Sequence, residues 1–235
     1  LESRIENVSI IPASYFLILY SQLTKAILPK NICFLSFSLM KRLLLVSLAT
    51  LAVVACVDKT GLSSETSREP RGNANAAVTV IEYGDLQCPA CKSAHTAVNT
   101  PLLEQYGNSI RFEFKHFPLS SIHEYALDAA EASECSADQG KFWEFVDTAY
   151  AKQDELSSRS IDAWAQSLSM DMDLFNRCMK SNIKRALILA DYEEGQEAGV
   201  QGTPTYFVNG QKVDSNVQAV SAAIEAATVG AAQRL

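Results

Sequence analysis

Positive charge is what this sequence has least of. Lys and Arg number 20 against 27 Asp and Glu over 235 residues, a formal net charge of −7. The first 56 residues hold five of the bases and two of the acids, so the remainder carries 15 against 25, a net −10. A surface this acidic is repelled by phosphate backbones, which excludes nucleic acid as a partner. Apolar runs are short. Ile10 to Tyr20 and Ile32 to Leu39 are separated by Lys25 and Lys30, and Leu43 to Val57 gives 15 uncharged residues against the roughly 18 or more of a spanning helix. Internal repeats and low-complexity tracts are absent, which points to one elaborated domain. Among six cysteines only one close-spaced pair occurs, so the second pair of a zinc knot is missing.

The first Met is Met40, followed by Lys41-Arg42 and the apolar run Leu43 to Ala55. A basic n-region before an apolar h-region is an export signal. It resembles a bacterial lipoprotein signal over residues 40–56, with Val53-Val54-Ala55-Cys56 as the lipobox and Cys56 as the lipidated residue. An ordinary secretory signal or a short anchor is the alternative. Residues 1–39 are expected to be an extension upstream of the native start, a second membrane segment being the other reading, and Cys33 carries no functional weight. Residues 57–76, rich in Ser, Thr, Asn, Gly and charge, read as a flexible tether ahead of a domain spanning 77–235.

That domain begins with Val78 to Tyr83, apolar on both alternating faces as a central, doubly covered strand should be, with Glu82 interrupting it. After Gly84 and Asp85 the chain delivers Cys88-Pro89-Ala90-Cys91 to a helix start, Pro89 standing where a missing N–H costs nothing. The helix runs to about Tyr106 with a kink at Pro101. Ile110 to Phe117 alternates strictly and reads as a second strand. Between about 120 and 199, apolar residues recur at helical spacing, giving four or five helices with turns near Gly140, Ser157-Ser158 and Asp171-Met172-Asp173. Thr205 to Val208, the turn Asn209-Gly210 and Gln211 to Val213 form a hairpin, and Val217 to Ala227 a closing helix.

Two cysteines in the first turn of a helix are close enough to join without large strain. The exposed helix N–H groups and the positive end of the dipole favour a thiolate at Cys88, which makes it both nucleophile and leaving group. Cys91, one turn further in, is the resolving thiol. A zinc site with Cys135, Cys178 or His95, and a plain structural disulfide, are the competing readings, and the position after an apolar strand disfavours both. Glu82 is either a buried acid that exchanges a proton with Cys91, with Lys115 as a candidate partner, or a strand-edge carboxylate reaching solvent. Thr203-Pro204 precedes a strand, where a cis bond would present backbone groups to an extended substrate. The sequence leaves the isomer open.

Three separated motifs then stand in one order: Val78 to Cys91, Gln139 to Glu144 and Gly199 to Gly210. Together they resemble the DsbA-type branch of the thioredoxin superfamily from about Gly72 to Ala227. The resemblance implies an α/β thioredoxin-like fold, a mixed central sheet flanked by helices with an inserted all-helical subdomain. It implies Cys88 and Cys91 as the redox pair, Glu82 as the buried acid, Thr203-Pro204 as the cis-proline loop, and Pro89 and Ala90 beside them at the substrate surface. Members of the family that oxidise strongly carry a His between the cysteines, where this chain has Pro89-Ala90, so milder oxidising power is implied. Cys135 and Cys178, on interior helix faces, are expected to form a structural disulfide of the kind several members carry, two buried free thiols being the alternative.

The expected activity is that of an exported thiol–disulfide oxidoreductase in the bacterial periplasm or cell envelope, anchored through Cys56 and donating a disulfide to unfolded or extended cysteine-containing proteins. No metal and no cofactor beyond the Cys88–Cys91 disulfide is implied, and a membrane redox partner would reoxidise the pair. A reductase or isomerase, and a non-catalytic chaperone or adaptor on the same scaffold, are the alternatives.

Overall fold

The computed structural model describes residues 61–232. The extension 1–39, the signal 40–56 with Cys56, and residues 57–60 of the tether lie outside them. Five strands, β1 (Arg71–Gly72), β2 (Val78–Gly84), β3 (Ile110–His116), β4 (Thr205–Val208) and β5 (Gln211–Val213), form a mixed sheet in the order β1-β3-β2-β4-β5. β2 and β3 run parallel, while β1–β3, β2–β4 and β4–β5 are antiparallel. A parallel pair needs a crossover. Here it is α1 (Pro89–Ala94), a π-helical turn (His95–Asn99) and α2 (Thr100–Tyr106). Five helices stand between β3 and β4: α3 (Ala126–Ala137), α4 (Phe142–Ala151), α5 (Ser158–Ser167), α6 (Met172–Ser181) and α7 (Arg185–Glu197). α8 (Val217–Ala232) closes the domain, one turn longer than its sequence pattern indicates. This is the expected α/β class, a thioredoxin-like sheet with an all-helical insertion.

Strand register sorts the side chains. Val78, Val80 and Glu82 share one face of β2, beside Ile110, Phe112 and Phe114 of β3 and Val208 and Tyr206 of β4. That face packs under Val98 and Leu102 of the crossover and Val220 and Ile224 of α8. On the opposite face Tyr83 and Phe207 meet Phe117 and Val200, with Tyr192 of α7 against them. The insertion has its own core of Phe142, Phe145, Trp164 and Phe175, and it runs without a break into Leu86, Cys88 and Cys91. The redox motif therefore sits where two cores meet. Gly84 is required at this junction: a Cβ there would lie 2.4 Å from the Phe114 ring.

Turn chemistry accounts for the helix boundaries. Ser157 caps α5 in a capping box with Ser160, and Asp171 accepts from the N–H groups of Asp173 and Leu174 at the start of α6. Cys135 of α3 and Cys178 of α6 are joined by a disulfide with Cα atoms 5.8 Å apart. A closed loop of 43 residues is worth about 4 kcal/mol by the chain-entropy estimate. Ahead of Pro101, where the sequence pattern indicates a kink, stands the π-helical turn. Proline has no N–H to give and its ring crowds the carbonyl four residues back, and the wider turn, in which the Thr100 N–H reaches His95 O, relieves that crowding.

The tether expected over 57–76 is corrected by its described part. Residues 71–72 add the edge strand β1 to β3. Ahead of it, the Arg68 guanidinium pairs with Glu134 (2.9 Å) and Asp191 (2.8 Å) and donates to Phe114 O. Lys184, fully buried, donates to Glu65 O and Asp138, and the Trp143 indole donates to Glu69 O. The segment looks like a linker because it is polar, yet its polar groups neutralise charges that the helices bury.

Candidate active site

The end of β2 is fixed by one carboxylate. Asp85, 2 % exposed, accepts from Gln87 N (2.8 Å) and Leu119 N (2.9 Å) and pairs with His123 Nδ1 (2.6 Å). The Cys88 N–H donates to Asp85 O, and the Gln153 amide donates to Leu86 O and Cys88 O. Cys88 thus arrives at the N-cap of α1 in extended geometry, with no side-chain cap competing for the helix N–H groups. Pro89 follows at the first helical position, and Pro89 and Ala90 are exposed. Cys88 is 6 % exposed and Cys91 fully buried, both as free thiols.

The Thr203–Pro204 bond is cis. It brings Thr203 O within 3.4 Å of Cys88 Sγ, and the Pro204 carbonyl accepts from Ser215 Oγ at 2.8 Å. Beside it a groove of about 620 Å³ is lined by Ala90, Ala94, Val98, Pro204, Val217 and Gln218. Such a concave apolar surface next to a reactive sulfur suits the side chains of an extended peptide.

The two sulfurs differ electrostatically. A hydrogen bond from the Cys91 thiol, joined by Thr203 and by the backbone N–H groups of Cys91 and Ala90, outweighs burial and lowers the Cys88 pKa to about 5. Burial, with Cys88 and the Glu82 charge close by, pushes Cys91 well above the ordinary thiol range. Glu82, fully buried on β2, is raised to about 7 by burial, against the hydrogen bond from Asn99. Its Oε2 accepts from Asn99 Nδ2 at 2.7 Å, and Asn99 Oδ1 accepts from Tyr206 Oη at 2.7 Å.

Glu82 therefore faces the core beneath α1 and not a strand edge. Lys115 is not its partner: it registers with Tyr83, on the opposite face of the sheet, and pairs with Glu194 of α7. The Cys135–Cys178 bond removes both sulfurs from any shared zinc site, and among the described residues no cluster of three or more His, Cys, Asp or Glu could hold a metal. Asp85, His123, Gln153, Asn99 and Tyr206 were not legible as site residues. Tyr206 alone left a signal, since it falls on a strand two residues after Pro204.

A parallel β2–β3 pair with its crossover, a cis-proline hairpin opposite the Cys-X-X-Cys, and a helical insertion after β3 define a thioredoxin-like fold with a helical insertion. The chain belongs to the thioredoxin family, whose model, described as thioredoxin, matches residues 64–226. The same fold is found in oxidised BdbD from Bacillus subtilis (TM-score 0.61, 22% identity, covering 68% of this chain and 92% of that one). It is found too in alpha-DsbA1 from Wolbachia pipientis (TM-score 0.60, 21% identity, 71% and 93%). Similar curated sequences are Na(+)/H(+) antiporter NhaA 3 of Salinispora tropica, 39% identical over 166 residues, and NhaA 1 of Salinispora arenicola, 41% identical over 162. The matches take in 70% and 68% of this chain but only 25% and 24% of those relatives, so the chain spans about a quarter of their length. Among the described residues no helix is long and apolar enough to cross a membrane.

Proposed function

We propose that the protein is a thiol–disulfide oxidoreductase of the cell envelope that donates the Cys88–Cys91 disulfide to extended, cysteine-containing proteins. One observation carries this reading: the outer sulfur, Cys88, is stabilised as a thiolate beside the cis-Pro204 loop, while its neighbour is buried as a thiol. A substrate thiolate attacks Cys88 Sγ, the Cys88–Cys91 bond breaks, and Cys91 leaves with the electron pair and takes a proton from Glu82. A second substrate thiolate then attacks the substrate sulfur of the mixed disulfide and displaces Cys88 as a thiolate. The substrate loses two electrons and the pair gains them, with no other cofactor. Stabilising the leaving thiolate favours the reduced form, which makes the oxidised pair a donor. Pro89 and Ala90 contribute no charge, so this stabilisation comes from Cys91, Thr203 and backbone N–H groups.

Substrates would dock along Thr203-Pro204 and the groove beside Ala90. A lipidated Cys56 would hold the domain at a membrane, where a redox partner reoxidises the pair. The antiporter names belong to proteins of which the match takes in only about a quarter, and ion transport forms no part of this proposal.

The test is a Cys91→Ser variant in the source cell, which should accumulate mixed disulfides on Cys88 with exported proteins. Abundant protein with no trapped partner would sink the reading. Direction is read from the reduction potential against glutathione: a donor should lie closer to about −120 mV than to about −270 mV.

A further inference from the structure

The buried carboxylate beneath the redox helix is held unequally, one oxygen fixed and the other free. Glu82 Oε2 accepts from Asn99 Nδ2, whereas Oε1 is buried with no hydrogen-bond partner. Asn99 is itself 3 % exposed, and its Oδ1 is taken by Tyr206 Oη, a side chain with no exposure. Tyr206 registers directly opposite Glu82 in the β2–β4 pair, so the hydroxyl reaches the amide from the sheet. Asn99 reaches it from above, because the π-helical turn adds a residue ahead of Pro101 and rotates position 99 into the core. With the tyrosine hydroxyl donating to Oδ1, the amide can only present its N–H₂ to the carboxylate.

Resting on the exchange reading above, we propose that Asn99, oriented by Tyr206, is a positioning residue that commits Glu82 Oε2 as a permanent acceptor and leaves Oε1 as the atom that carries the proton of Cys91. The other titratable groups around Glu82 are Cys88 and Cys91 of α1, His95 of the π-helical turn, Tyr150 of α4 and Tyr206. Both tyrosines are held as neutral phenols by burial. When Cys91 attacks a mixed disulfide on Cys88, its S–H proton passes to Oε1. The Cys91–Cys88 bond forms, the bond from Cys88 to the partner sulfur breaks, and the partner leaves as a thiolate with the electron pair. That step needs Glu82 ionised, so its rate should rise with pH through the Glu82 pKa of about 7. The Asn99 hydrogen bond stabilises the ionised form and holds that pKa down.

The test uses the reduced full-length chain carrying Cys33→Ser and Cys56→Ser, mixed rapidly with dithiobis(nitrobenzoate). Cys88 releases one aromatic thiolate and Cys91 the second, and the rate of the second release is followed against pH. Glu82→Gln should abolish the inflection near neutrality. Asn99→Leu should move it upward by about one pH unit, as expected for the loss of one hydrogen bond to a charged group. Tyr206→Phe, which removes a single buried oxygen, should move it upward by less. If either variant stays folded by circular dichroism and its inflection is unmoved while Glu82→Gln abolishes the wild-type one, the inference falls and the exchange reading stands. A wild-type protein that never releases the second thiolate overturns the exchange reading and the inference with it.

Discussion

Alkylation of the reduced protein should separate the two sulfurs of the motif. With the Cys88 pKa lowered to about 5, its rate should be half-maximal near that pH, while Cys91 stays unreactive until the protein unfolds. Cys91→Ala should shift the midpoint upward, because the thiol whose hydrogen bond contributes most to the Cys88 thiolate is lost. Glu82 gives the opposite sign. Its folded pKa, about 7, lies above the ordinary 4.5, so its contribution to stability is fully present below pH 4.5 and is lost as pH rises through 7. Glu82→Gln should therefore match wild type in acid and exceed it at pH 8, by on the order of 3 kcal/mol in denaturant unfolding. An advantage that does not grow with pH would mean that Glu82 is not buried as an acid.

At the scale of elements, the segment ahead of β1 is the part most changed by folding. Arg68 links three pieces of chain, reaching Glu134 of α3, Asp191 of α7 and the Phe114 carbonyl of β3. Removing it takes the only strong cation from two buried carboxylates, leaving Glu134 with His116 and the Thr66 hydroxyl and Asp191 with the His116 backbone N–H. Arg68→Ala should cost about 3 kcal/mol of unfolding free energy, and Arg68→Lys should recover only part of that, since an ammonium cannot span the same acceptors. A loss below about 1 kcal/mol would show that the segment is a loose tether after all. Helix α1 and its π-helical turn form the second such element. Their apolar periodicity is visible in the sequence, but the inserted residue that turns Asn99 inward is not, because a π turn leaves no periodic signature of its own.

For the molecule as a whole, the redox state should set its stability. The Cys88 thiolate exists only in the reduced form, and a depressed pKa contributes stability that is present above the unfolded thiol range and lost as pH falls toward 5. The reduced protein should melt at a higher temperature than the oxidised protein at pH 7, with the gap closing by pH 5. A higher melting temperature for the oxidised form at pH 7 would remove the donor direction.

Much of this was legible from residue order. A run apolar on both faces marked β2, strict alternation marked β3, helical spacing marked the insertion, and Cys88-Pro89-Ala90-Cys91 with Thr203-Pro204 marked the two sides of the site, because strand and helix patterns and turn residues are local properties. What the tertiary structure decided is non-local. It chose the cis isomer at Pro204, sent Lys115 to Glu194 and not to Glu82, docked residues 62–72 through Arg68, and joined Asn99 to Tyr206 over a separation of 107 residues. Each of these turns on which buried charge or polar atom lacks a partner once the backbone has closed, and that depends on distances between segments that no local pattern encodes.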